Sequence, residues 1–178
     1  MKKFLLMLLL LICLKGYSAD IDVGSLDAGI VTLADFTFIN KTNPSNDTGT
    51  IDLITYRGHT TPTTVDVASF ADEGSNVFST NGTGSISYSG SSADETFYAP
   101  GDFTAFDINS GEYIGAYNLS SHKLASTGFL GVWYTTSDDI PADSVTFIFA
   151  AGYGMVLYAE GTIAPPPARR IIMISQAK

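Results

Sequence analysis

The sequence predicts an all-β protein, a β-sandwich of jelly-roll type behind an amino-terminal signal peptide. Three observations carry this expectation: short stretches of period-two apolar alternation, Gly, Asn and Pro punctuation at spacings of about 8 to 12 residues, and no sustained helical periodicity after the leader.

The leader comes first. Lys2 and Lys3 precede an apolar run over 4–14, and Gly16, Tyr17 and Ser18 follow before the chain turns polar and acidic. A basic start, an apolar centre of about 7–15 residues and small residues at the cut describe a secretory signal peptide, and the run is short of the ~20 residues a spanning helix needs. Residues 1–18 are expected to be removed, placing the mature chain outside the cytoplasm, secreted or at the cell surface, with no transmembrane span. Cys13, the only cysteine, leaves with them. The remaining 160 or so residues are enough for one core without disulfides.

Along the mature chain, strands are expected within 30–39 around Phe36 and Phe38, within 50–56, and at Val65 and Val67, which alternate with Thr64, Asp66 and Ala68. Ile86 and Tyr88 alternate with serines, as in an edge or surface strand. Further strands are expected at 103–109, 113–119, 129–135, 144–150 and 154–163, and the aromatic second half, notably the apolar run 145–149, should supply the central ones. No period of 20 to 50 residues repeats, so one domain over 19–163 is expected. Beyond it, 164–178 reads as a linker and tail outside the fold: Pro165, Pro166 and Pro167 make a stiff extended stretch before Arg169, Arg170 and an apolar tetrapeptide.

Charge narrows the function. Taking Lys2, Lys3 and Lys15 from nine basic residues leaves six against 18 acidic, a formal charge of −12. Nucleic acid is bound by clustered Lys and Arg that neutralise phosphates, and Lys41, Arg57 and Lys123 are scattered. Anionic membrane surfaces are disfavoured for the same reason.

The residues that carry chemistry are few. His59 and His122 both read as exposed loop residues, no strained Gly-x-Ser-x-Gly turn occurs, and zinc would need more His or Cys ligands. No cofactor is required, though calcium is possible: Asp107 and Asn109 stand at alternate positions of a Gly-containing loop, and Asp138 and Asp139 form the densest acidic pair. The competing reading has these side chains hydrogen-bonding their own turns. For a ligand, sugar rings present apolar C–H faces that stack on aromatic rings, so Tyr88, Tyr117 and Trp133 are the candidate binding residues. Both faces of 129–134 are apolar, which also reads Trp133 as core. Four sequons occur, at Asn40, Asn46, Asn81 and Asn118.

Two stretches carry a family likeness. Asn43-Pro44-Ser45-Asn46-Asp47-Thr48-Gly49-Thr50-Ile51, and Ser110-Gly111-Glu112-Tyr113-Ile114-Gly115 continuing to Ser126-Thr127-Gly128-Phe129-Leu130-Gly131-Val132-Trp133-Tyr134, resemble a loosely defined, uncharacterised group of β-rich proteins from bacteria and phage. The likeness covers about 27–163, with Ser137-Asp138-Asp139-Ile140-Pro141 in place of the group's Gly-containing turn. It implies a β-sandwich and a surface or particle-associated role, and brings no activity or site residues.

The expected function is a secreted, non-catalytic binding module, with an extracellular glycan as ligand. One alternative is a structural subunit of a fibre, pilus-like or coat assembly, whose extended residues 19–28 would pair with a neighbour. The other is a glycosidase or polysaccharide lyase using Glu160 or Asp102.

Overall fold

The computed structural model describes residues 20–26, 31–58, 63–89, 96–120 and 122–163; the expected signal peptide, the Pro-rich tail and His59 lie outside them. Among the described residues all regular structure is β, in twelve strands: β1 (Asp20–Leu26), β2 (Val31–Leu33), β3 (Phe36–Asn40), β4 (Gly49–Tyr56), β5 (Thr63–Gly74), β6 (Val77–Tyr88), β7 (Thr96–Tyr98), β8 (Phe106–Ile108), β9 (Tyr113–Asn118), β10 (His122–Thr135), β11 (Val145–Thr146) and β12 (Ile148–Ile163). They form one large open sheet, antiparallel throughout, in the order β11-β6-β5-β9-β3-β10-β12-β4-β7; β1 lies beside β12, β2 beside β10 and β8 beside β4.

β12 holds this sheet together by changing partners midway. Residues 148–155 pair with β10, whereas 156–163 pair with β1 and β4. The two parts of the sheet share one large core. Ile21, Ile51, Ile54 and Leu157 come from one side, and Phe38, Val65, Val67 and Ile114 from the other. Because successive strand residues point to opposite faces, the outward side of β3, β5, β6 and β10 carries a second apolar cluster of Ile39, Ala68, Phe70, Phe78 and Trp133. Ala142 and Phe147, from the segment between β10 and β12, cover it.

Several expected elements differ. Asp35 takes a left-handed φ of 62° and divides the expected 30–39 strand into β2 and β3. The 145–149 run is not one central strand. Val145 and Thr146 pair at the sheet edge with β6, Phe147 leaves the ladder to fill the second cluster, and Ile148 begins β12. Gly152, between the strands expected at 144–150 and 154–163, sits inside the continuous β12 at φ 81°. Within the expected strand at 103–109 only β8 forms, and β7 is an addition. The segment 19–28, which the structural-subunit alternative would pair with a neighbour, contains β1, which pairs with the chain's own β12 and buries Ile21 and Val23 completely. Gly24 permits that approach: at φ +86° an added Cβ would stand 2.2 Å from the Leu157 carbonyl oxygen.

Polar side chains buried between the two parts fix how they meet. His122, expected on an exposed loop, is fully buried at the start of β10. Its Nε2 lies 3.0 Å from the Phe36 carbonyl oxygen. A carbonyl only accepts, so Nε2 carries the proton and Nδ1 accepts from Tyr56 Oη at 3.2 Å, whose oxygen in turn accepts from Asn118 Nδ2 at 2.8 Å. A relay from β9 through β4 to β10 and β3 results. Asn40 makes a second link, its Nδ2 reaching Ser25 Oγ at 3.0 Å and the Met155 and Leu157 carbonyls at 3.3 and 3.4 Å.

Burial pushes the His122 imidazole down to about 4, opposed by its bond to Phe36. Between about pH 6.5 and pH 4 the unfolded chain binds a proton that the folded one refuses. The contribution is therefore complete above about pH 6.5 and falls away as pH drops towards 4, by on the order of 3 kcal/mol. Urea midpoints measured at pH 7, 6 and 5 should fall more steeply for the wild-type chain than for His122→Gln; parallel slopes would contradict this assignment.

Candidate functional site

The outward face of the sheet is covered by the second apolar cluster at one end and polar at the other. Strand register sets the polar end. Val65 and Val67 enter the large core, so Asp66 faces out. Ser85 stands opposite Asp66, Asp66 opposite Tyr117, Tyr117 opposite Thr37 and Thr37 opposite Thr135, a transverse row of oxygen-bearing side chains over five strands. The covering segment crosses the end of this row: Thr37 Oγ1 donates to the Ser137 carbonyl at 2.7 Å and accepts from the Asp139 amide at 3.0 Å, leaving Thr37 buried.

Where that segment turns away, at Ile140 and Pro141, it forms a step. Beside the step is a cleft of about 490 Å³ lined by Asp66, Thr83, Ser85 and Thr104. Thr104 borders it from across the edge of β6: on the inward side of that strand, opposite Val67, an added Cβ at Gly84 would stand 3.0 Å from the Thr104 carbonyl oxygen. Ser85 Oγ donates to Asp66 Oδ1, holding the carboxylate along the cleft wall. Tyr117 lies next to it, donating to Asp35 Oδ1 at 2.9 Å. Its hydroxyl is pushed up to about 12, first by desolvation, then by the bond to Asp35 and the negative charges of Asp35, Asp138 and Asp66. The surroundings are thus anionic and rich in hydroxyls, with one half-exposed aromatic ring.

Of the sequence candidates, Asp138 acts on Tyr117 through its charge and Asp139 binds Thr37 at the end of the row; the others lie elsewhere. Tyr88 is buried in the large core, edge-on to Tyr56 at 5.3 Å. Trp133 is buried in the second cluster, 4.9 Å from Phe78 and 5.1 Å from Tyr113, with Nε1 donating to Asn76 Oδ1 at 2.8 Å and Lys41 Nζ 5.0 Å from its centroid. Neither ring is open to a stacking sugar. Asp66, Thr83, Ser85 and Thr104 were missed by sequence reasoning, although Asp66 and Ser85 occupy the polar positions of the two alternating strands.

The acidic candidates and Asn109 are hydrogen-bonded within the fold, in their own turns except for Asp107, which is bonded across strands. Asn109 donates from its amide and from Nδ2 to Glu112, each at 2.8 Å, and Asp107 Oδ1 accepts from Thr50 Oγ1 at 3.2 Å. Asp138 Oδ1 accepts from the Ile140 amide at 3.1 Å, and Asp139 Oδ2 from Ser137 Oγ at 2.8 Å. Among the described residues no group of three His, Cys, Asp or Glu side chains converges on a point a metal could occupy. Glu160 accepts from Tyr158 Oη at 3.0 Å, and Asp102 from the Ala99 amide at 2.9 Å. Asp102 borders a cavity with Ser87, Phe97 and Tyr98 that Glu160 does not reach. Of the sequon asparagines, Asn40 and Asn118 are fully buried, while Asn46 and Asn81 are exposed.

Compared with known protein families, curated proteins and solved structures, the chain matches none. No helix among the described residues is long and apolar enough to cross a membrane.

Trp133 is the only tryptophan, so its burial has a direct readout. Its fluorescence should be blue-shifted and poorly quenched by iodide, and Trp133→Ala should cost about 3–5 kcal/mol of stability. A red-shifted, readily quenched emission would instead place the ring at the surface.

Proposed function

We propose that the protein is a secreted, non-catalytic β-sandwich module of jelly-roll type that binds neutral carbohydrate through the cleft beside Tyr117. The observation that carries this reading is the transverse row from Ser85 through Asp66 to Tyr117. Ser85 and Asp66 line a cleft of about 490 Å³, within the roughly 300–1,000 Å³ of ligand sites, and Tyr117 stands on the next strand. A sugar presents donors and acceptors around an apolar ring face. Asp66 can accept two hydroxyl protons, Thr83, Ser85 and Thr104 can donate or accept, and the Tyr117 ring offers a surface for the C–H face. Asp35, Asp66 and Asp138 repel anions, which selects against uronic acids and sulfated glycans.

On a glycan array the processed chain should retain neutral polysaccharides and ignore acidic ones. Asp66→Ala and Tyr117→Ala should each weaken binding about tenfold, the loss of roughly 1.4 kcal/mol, without lowering stability comparably. Binding that survives both substitutions, or none to any neutral glycan, would reject the cleft.

A second reading, a structural subunit, is favoured by one observation. Residues 148–155 contain no charged side chain and pair, among the described residues, with β10 alone, while Leu130, Ile148 and Phe149 are exposed. An uncharged strand edge is a template for another strand. Concentration-dependent assembly abolished by Ile148→Lys would support this reading, and a chain monomeric at millimolar concentration would exclude it.

A further inference from the structure

The inward face of the sheet extends past the part covered by β1 and β4. There β2, β3, β10 and the first half of β12 border a half-open cavity of about 210 Å³ lined by Phe36, Phe38, Leu124, Val132, Tyr134 and Tyr153, with Leu33 and Ala150 completing the wall. Phe36 stacks on Phe38 at 5.5 Å and lies tilted to Tyr134 at 5.8 Å. Phe38, Leu124 and Val132 are buried as its floor, and the half-buried Phe36, Tyr134 and Tyr153 form its mouth.

Alternation along β10 separates this cavity from the polar cleft, because Tyr134 faces inward and Thr135 outward. The wall has no charged side chain, and its only side-chain polar atoms are the Tyr134 and Tyr153 hydroxyls. Such a lining desolvates a sugar's hydroxyls without replacing their hydrogen bonds, whereas apolar cavities of about 150 Å³ stay dry and accept a benzene-sized guest. Aromatic walls also favour an aromatic guest through offset and edge-on contacts.

We propose that this cavity is a second binding site, specific for a neutral monocyclic aromatic ring carrying a hydroxyl group. The ring occupies the space over Phe38 and Val132, and its hydroxyl meets the tyrosine hydroxyls at the mouth.

The test uses the full processed chain with phenol, toluene and methyl glucoside as probes, followed by NMR of the aromatic protons and by calorimetry. Phenol should bind saturably and more tightly than toluene, and methyl glucoside should not shift the resonances of the cavity residues. Ala150→Leu, which fills the cavity, should abolish phenol binding. Tyr153→Phe, which keeps its shape, should weaken phenol about three- to tenfold and leave toluene unchanged, as expected for one lost hydrogen bond. Asp66→Ala should affect neither aromatic probe, so glycan binding and aromatic binding can fail separately. Absence of saturable phenol binding, equal affinity for toluene and phenol, or unchanged binding in Ala150→Leu would each overturn the proposal.

Discussion

Two buried polar links determine how the halves of this sheet meet. Apolar burial between them is strong but non-directional, and would tolerate a shift of one half over the other. The relay from Asn118 through Tyr56 and His122 to the Phe36 carbonyl, and the contacts of Asn40 with Ser25 and β12, do not tolerate it. A slide of one residue would leave buried donors and acceptors without partners, at about 1–3 kcal/mol each. These side chains come from β1, β3, β4, β9 and β10, so one set of hydrogen bonds ties five strands together, β3 and β10 of the aromatic cavity among them.

β10 turns that register into two surfaces of opposite character. Its inward residues Leu124, Val132 and Tyr134 enter the large core or line the aromatic cavity, while Trp133 and Thr135 face the other way. On the outer side the segment leading to β12 decides what is covered. Ala142 and Phe147 seal the apolar cluster, and the chain turns at Ile140 and Pro141 just short of Asp66 and Ser85. A covering segment that ended one strand sooner would expose the apolar cluster; one that continued would close the cleft.

The strands read most accurately from the sequence are those with plain alternation and a single neighbourhood. Val65 and Val67 in β5 and Ile86 and Tyr88 in β6 lie where their pattern put them. In β4, expected over 50–56, a register shift against β12 interrupts the alternation and leaves Ile51, Ile54 and Tyr56 buried with Leu53 only half-buried. The misread ones have a local pattern overridden by distant partners. His122 follows serines and looks solvent-facing, yet β10 begins there because Leu33 and Gly58 pair with it from elsewhere in the chain. The 145–149 run is apolar throughout, which is what a central strand shows; it is broken because Phe147 fills a space bounded by Phe70 and Phe78. β1 carried a signal in the alternation of Ile21 and Val23 with Asp20 and Asp22, but not the identity of its partner.

By itself the sequence determined that the chain is all-β, strongly acidic, and short of His and Cys clusters, because composition and period-two alternation are local properties of the chain. It also offered Tyr88, Tyr117 and Trp133 as aromatic candidates, but not Asp66, Thr83, Ser85 or Thr104, which line the cleft. Only the tertiary structure decided among the three. Tyr88, Tyr117 and Trp133 are chemically similar candidates, and two were buried and one left beside a cleft by pairings between strands far apart in sequence. Strand register is set by the sum of many long-range contacts, so no single segment carries the information that separates a core ring from a binding ring.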